Sequence, residues 1–170
     1  MSKSPLCAPA PLGPAHSTDR FNCGVETLNE YLKKYARVNN ANGSAKTYAA
    51  LRGGAVAGYY TLTVGSVRKE TAPRRVGKGL ANHPVPVIII ARLAVDKTEQ
   101  GAGLGSALMR DALSRIHLAA ESIGGRAVLV HAKDEEARSF YEQFGFERSP
   151  IDQFHLYLLL KDIEKTLQIL

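Results

Sequence analysis

The chain has 170 residues, 45% apolar and 22% charged, with a formal net charge of +6. That is one domain's worth of ordinary globular material, read as a single domain over residues 1–170; it excludes a disordered or collagen-like chain, and the positive charge favours an anionic partner without identifying one. Two distant cysteines, Cys7 and Cys23, and histidines that form no close pair argue against a metal site, while the absence of a signal-like N-terminus or a long apolar run predicts a cytoplasmic protein with no membrane segment.

In chain order, Leu6 to Leu12 carries three prolines and reads at best as an edge strand. Asp19 to Asn22 offers helix-capping side chains. From Gly24 to Val38, Leu28, Tyr31, Leu32, Tyr35 and Val38 trace one helical face, with Lys33, Lys34 and Arg37 on or near the other. Asn39 to Ser44 reads as a loop. Ala45 to Leu51 and Ala55 to Val67 read as a hairpin turning at Gly53-Gly54. Val67 to Pro86 is a long connection bearing Arg68, Lys69, Arg74, Arg75 and Lys78, with room for a short helical turn. Loops of this length inside a domain are functional or disordered, and clustered Arg and Lys are the footprint of a phosphate backbone; the plainer alternative is a solvated loop.

Val87 to Val95 is a β-branched, nearly all-apolar run, a buried strand interrupted by Arg92. That arginine is either paired in the core or reaches into a cleft. From Leu104 onward, Leu108, Ala112, Ile116, Ala120 and Ile123 recur at helical spacing, and Gly124-Gly125 ends the run. Between strand and helix lie Gly101, Gly103 and Gly105. Such a loop presents unpaired backbone N–H groups at the positive end of a helix dipole, which is a phosphate site. The spacing fits neither the Rossmann fingerprint nor the P-loop. Arg126 to His131 reads as a further strand, Ala132 to Phe144 as a helix, Phe154 to Leu160 as a last strand and Asp162 to Leu170 as a short helix.

The pattern Q-x-x-G-x-G over Gln100 to Gly105 resembles the pyrophosphate loop of the GNAT acetyltransferase superfamily. Asp134-x-x-Ala137-x-x-x-Tyr141-x-x-x-Gly145-Phe146 resembles its second coenzyme-A motif, with Asp134 where the superfamily usually has Asn. Phe21-Asn22-Cys23-Gly24, Leu28-Asn29-Glu30-Tyr31-Leu32, Gly58-Tyr59-Tyr60-Thr61-Leu62, Arg92-Leu93-Ala94-Val95-Asp96 and Leu129-Val130-His131-Ala132 narrow the resemblance to acetyltransferase toxins of type II toxin–antitoxin pairs, over roughly Phe21 to Leu160. The resemblance implies an α+β GNAT fold with a mixed central sheet of about six to seven strands flanked by helices.

It also implies an activity: transfer of an acetyl group from acetyl-CoA to the α-amino group of aminoacyl-tRNA. The implied partners are charged tRNA, a ribbon-helix-helix antitoxin, operator DNA through the antitoxin complex, and a second copy of the chain. By the same resemblance, Gln100, Gly101, Ala102, Gly103, Leu104, Gly105 and Ser106 would hold the pyrophosphate. Leu93, Ala94 and Val95 would pair with the pantetheine arm, and Ala132, Asp134, Ala137 and Phe140 would complete the donor site. Tyr141 is the candidate general acid; the alternative is an aromatic packed beside Phe140 and Phe144. No base stands out: Glu142 and His131 would serve only if the fold places them near the thioester, and the favoured reading of each is a structural role. Lys33, Lys34, Arg37, Arg74, Arg75, Lys78 and Arg92 are the candidate tRNA contacts. Two other readings remain open: a GNAT enzyme acting on a small amine or protein N-terminus, and a non-catalytic coenzyme-A-binding module.

Overall fold

The computed structural model describes residues 2–169. Seven strands form one mixed sheet in the order β1-β2-β3-β4-β5-β7-β6: β1 Leu6–Pro11, β2 Lys46–Arg52, β3 Ala55–Val67, β4 Val85–Val95, β5 Ala127–His131, β6 Glu147–Arg148 and β7 His155–Leu159. The helices are α1 Glu26–Glu30, α2 Ala36–Asn42, α3 Arg74–Gly77, α4 Leu104–Ile123, α5 Glu135–Glu142 and α6 Ile163–Ile169. The α+β expectation holds, and the two-residue strand β6 was not expected. No helix among the described residues is long and apolar enough to cross a membrane.

The chain divides into two compact units. One contains the residues up to Thr63 together with Ala91–Ala112. Here β2 and β3 turn through Gly53 and Gly54, whose φ values of 59° and 79° suit the tight hairpin turn that needs two left-handed residues. The register slips between Ala50↔Gly58 and Leu51↔Val56, so Ala57 is an extra residue in β3. Its carbonyl accepts the Asp96 amide at 2.8 Å, just past the end of β4. Leu12, Phe21, Leu32, Ala36, Ala49, Val56 and Tyr59 form the core of this unit, and the Tyr59 hydroxyl donates to the Leu28 carbonyl at 2.7 Å.

The first helical run differs from its sequence reading in three ways. It begins at Glu26 after Val25, whose side chain makes no cap, so Asp19 to Asn22 do not cap it. It extends to Asn42 and ends on Gly43 at φ 80°, which absorbs most of the expected loop. Between α1 and α2, residues Tyr31–Tyr35 form a π-helical turn in which the Ala36 amide bonds to the Tyr31 carbonyl. The extra residue rotates the buried face. Ala36 is therefore buried, whereas Tyr35 and Val38 are 52% and 60% exposed.

The other unit comprises Val64–Ile90 and the chain from Leu113 onward. The ladder between β4 and β5 is parallel, from Val87↔Ala127 to Ile90↔Val130, and β4 itself continues to Val95. β5 pairs antiparallel with β7, and β7 with β6. Four of the five β5 residues are buried, as expected of a strand covered on both faces. Of the residues expected on the buried face of α4, Leu104, Leu108, Ala112 and Ile116 are buried, but Ile123 is 69% exposed in the last turn. Arg126 fastens α3: its guanidinium donates to the carbonyls of Val76, Arg75 and Lys78, so the long basic connection is ordered rather than a free loop.

Candidate active site

The residues expected at the donor site fall into two groups. In the first unit, β4 delivers Leu93, Ala94 and Val95, Asp96 follows, and a single 3-10 turn over Lys97–Glu99 leads to Gln100. Gly101 and Gly103 stand at φ 82° and 88°, conformations that other residues adopt only with strain, and a Cβ at either would meet nothing within 4 Å. The Ala107 amide bonds back to the Gly103 carbonyl, so Gly103 caps α4. Gly105 and Ser106 thus lie in the first helical turn rather than in the loop. The amides of Leu104, Gly105 and Ser106 have no intrahelical partner and share the positive end of a 20-residue helix, the arrangement that receives a phosphate.

The Gln100 side chain is exposed and bonds back to the start of the turn, with Nε2 donating to the Val95 carbonyl at 2.9 Å and the Cys23 carbonyl at 3.2 Å. Gly58 explains why α4 sits close to β3: a Cβ there would meet Leu108 at 3.0 Å, Leu104 at 3.1 Å and the Ala94 carbonyl oxygen at 3.2 Å. Asn22, Asn29 and Asp96 form a hydrogen-bonded network beside the loop, which their sequence spacing does not reveal. Burial works against the Asp96 charge, but the Thr98 hydroxyl and the amides of Asn22 and Thr98 outweigh it, so its pKa is lowered.

In the second unit, α5 begins after Ala132, which is buried and not helical; Asp134 is the cap. The Asp134 carboxylate accepts the Ala137 amide at 2.8 Å, which accounts for an acid where an Asn was expected: either side chain caps a helix. Tyr141 is 8% exposed and lies against Phe140 and Phe146, with ring centroids 5.4 and 5.9 Å away. Burial pushes its phenol up to about 12, so it carries its proton throughout the neutral range. Its hydroxyl makes no hydrogen bond among the described residues. The ring thus packs in the core beside Phe140 and Phe146, and the O–H has no partner among the described residues.

The two candidate bases differ. Glu142 is held by Arg148 at 3.2 Å and by Arg138 at 3.6 Å, an ion-pair cluster rather than a free base. The His131 ring stacks on His155 at 4.0 Å, and burial, then the neighbouring imidazole, lowers its pKa.

The candidate tRNA contacts are sorted by their partners. Lys33, Arg74 and Lys78 are exposed. Lys34 pairs with Glu30 at 3.1 Å across one helical turn. Arg75 is committed to Glu147 at 2.6 Å and Asp162 at 3.0 Å, and Arg37 donates to the His16 carbonyl. Arg92 is paired through its guanidinium, which stacks 3.6 Å over the ring of the buried Tyr31 while the residue stays partly exposed, a cation–π contact that explains a cation in an apolar strand. The occupied state of Arg37 and Arg75 was not visible in sequence, because their partners lie 21 to 87 residues away.

The acetyltransferase (GNAT) domain family matches residues 16–155. A "tRNA-acetylating toxin" of Mycobacterium tuberculosis is 48% identical over 155 residues, 91% of this chain and 93% of that one. Among solved structures, AtaT complexed with acetyl-methionyl-tRNAfMet has a TM-score of 0.86 at 27% identity, covering 95% of this chain and 98% of that one. A tyrosine-to-phenylalanine mutant of AtaT, bound to the C-terminus of the antitoxin AtaR and acetyl-CoA, has a TM-score of 0.78 at 27% identity, covering 94% and 96%.

Proposed function

The chain belongs to the GNAT acetyltransferase family, and from that premise we propose that it is a toxin that moves the acetyl group of acetyl-CoA to the α-amino group of aminoacyl-tRNA and so stops translation. The whole chain acts as one such domain, as a homodimer in the cytoplasm. A ribbon-helix-helix antitoxin neutralises it, and the pair binds operator DNA. The observation that carries the acceptor assignment is the 48% identity, over nine-tenths of both chains, to a tRNA-acetylating toxin.

The geometry supports the donor half of this reading. The amides from Gly101 to Ser106 and the Ser106 hydroxyl receive the pyrophosphate. The backbone of Leu93, Ala94 and Val95 pairs with the pantetheine arm. Ala132, Ala137 and Phe140 are assigned to the donor by family resemblance alone, while Asp134 acts by capping α5. In the reaction the neutral amine attacks the thioester carbonyl carbon, the C–S bond breaks, and Tyr141 gives its proton to the departing sulfur. Water takes the surplus proton from nitrogen. An α-amine with a pKa near 7.7–8.0 is partly neutral at pH 7, so no strong base is needed.

The acceptor's phosphates fall to the unengaged cations. Arg74→Ala is expected to raise KM for charged tRNA severalfold and to flatten the log–log salt slope by about 0.7–0.9, the contribution of one neutralised phosphate. Arg75→Ala, by contrast, is expected to lower the melting temperature slightly, because its ion pairs to Glu147 and Asp162 hold the second unit. Steady-state tRNA acetylation over a salt series separates the two. An unchanged slope in Arg74→Ala would return weight to a small amine or protein N-terminus as acceptor.

A further inference from the structure

We propose that Asn22, Asn29 and Asp96 are positioning residues that hold the glycine loop in the shape that receives the donor; this rests on reading Gln100–Ser106 as the acetyl-CoA loop. Gly101 and Gly103 have nothing packed around the positions a side chain would take. The turn is thus fixed by its ends rather than by its surroundings. One end is the first turn of α4. The other is Asp96 to Gln100, and this end is strapped to the segment Asn22–Gly24.

The strap consists of hydrogen bonds between remote stretches of chain. The Asn22 amide donates to Asp96 Oδ2 at 2.9 Å across 74 residues, and the Lys97 amide donates to the Asn22 carbonyl at 2.8 Å. Gln100 Nε2 donates to the Cys23 carbonyl across 77 residues. Asp96 Oδ1 accepts the Thr98 amide and hydroxyl at 2.9 and 2.7 Å, which closes the turn after β4. The strap is itself anchored by Asn29, which is 4% exposed on α1. Asn29 Oδ1 accepts the Cys23 amide at 2.8 Å, and Nδ2 donates to Asn22 Oδ1 at 3.1 Å. Asn22 Oδ1 also accepts the Gly24 amide at 2.9 Å. Each of these side chains needs its amide or carboxylate chemistry: one nitrogen and one oxygen on Asn29, two oxygens on Asp96.

A loop ordered in advance binds its ligand without an ordering cost at the moment of association. The network therefore acts on donor affinity and not on the acid. In Asn29→Asp, the bond from Cys23 survives, but a carboxylate oxygen faces Asn22 Oδ1 in place of the donor. Asn22→Ala, at an exposed position, keeps both of its backbone bonds and loses only the side-chain acceptor.

The test is acetyl-CoA calorimetry and steady-state kinetics on the full chain for both variants, with melting temperature recorded and Gly103→Glu alongside. We expect Kd and KM for acetyl-CoA to rise about tenfold in Asn29→Asp and about threefold in Asn22→Ala, the range for disturbing buried and exposed hydrogen bonds, with kcat at saturating donor nearly unchanged. If Asn29→Asp does not fold, Asn22→Ala decides. Unchanged donor affinity in the folded variants, with binding abolished in Gly103→Glu, would show that the network serves only the fold and overturn the proposal. Full affinity in Gly103→Glu would instead overturn the donor-loop reading beneath it.

Discussion

Replacing Tyr141 with Phe is expected to leave the fold and acetyl-CoA affinity intact and to lower turnover by about 10²–10⁴-fold, the contribution of a positioned general acid. The substitution removes one oxygen from a ring that keeps its contacts with Phe140 and Phe146. Because the hydroxyl bonds to no described residue, its loss breaks nothing that holds α5. The pH dependence carries a second signature. Burial raises the phenol to about 12, so the acid stays protonated through pH 10. The wild-type rate should rise as the acceptor amine loses its proton near pH 7.7–8.0 and then stay level to about pH 10. A fall between pH 8.5 and 10 would mean an acid with an ordinary or lowered pKa. Stability has its own sign: burial favours the neutral phenol, so this contribution is complete below the ordinary value of about 10 and is lost as pH rises toward the folded value. Near-normal kcat in Tyr141→Phe would make the residue a packing aromatic only.

Gly103→Glu is expected to abolish acetyl-CoA binding in a folded protein. Two effects act together. At φ 88° any side chain is strained, and a carboxylate at the cap of α4 places negative charge where the pyrophosphate would sit. Gly103→Ala separates them, because space around the position is open and only the backbone strain remains. It should fold less stably than wild type by about the 1–2 kcal/mol that a left-handed residue costs, and still bind acetyl-CoA measurably. Calorimetry on both variants reads the difference. Unchanged affinity in Gly103→Glu would remove the pyrophosphate from this loop.

The sheet and the glycine loop were legible in sequence because each writes a local signal: an apolar β-branched run from Val87 to Ile90, and glycines at alternate positions before a helical repeat. The helix after Gly24 was only partly legible. Its π turn inserts a residue that a regular helical period does not contain, and so Tyr35 and Val38 were placed on a face that Ala36 occupies. The basic residues show a different limit. A count of cations cannot tell Arg74, which has no side-chain partner among the described residues, from its neighbour Arg75, which is spent on Glu147 and Asp162. The strap from Asn22 to Asp96 was hidden for the same reason: its partners are adjacent only after folding.

The central claim is the acceptor, and the most direct measurement gives the protein acetyl-CoA labelled in the acetyl group and total charged tRNA, then separates RNA from protein. Label in the RNA fraction, released with the amino acid when the ester bond is hydrolysed and absent with Tyr141→Phe, is the predicted result. Label confined to protein or to small amines, with none on aminoacyl-tRNA, would contradict it.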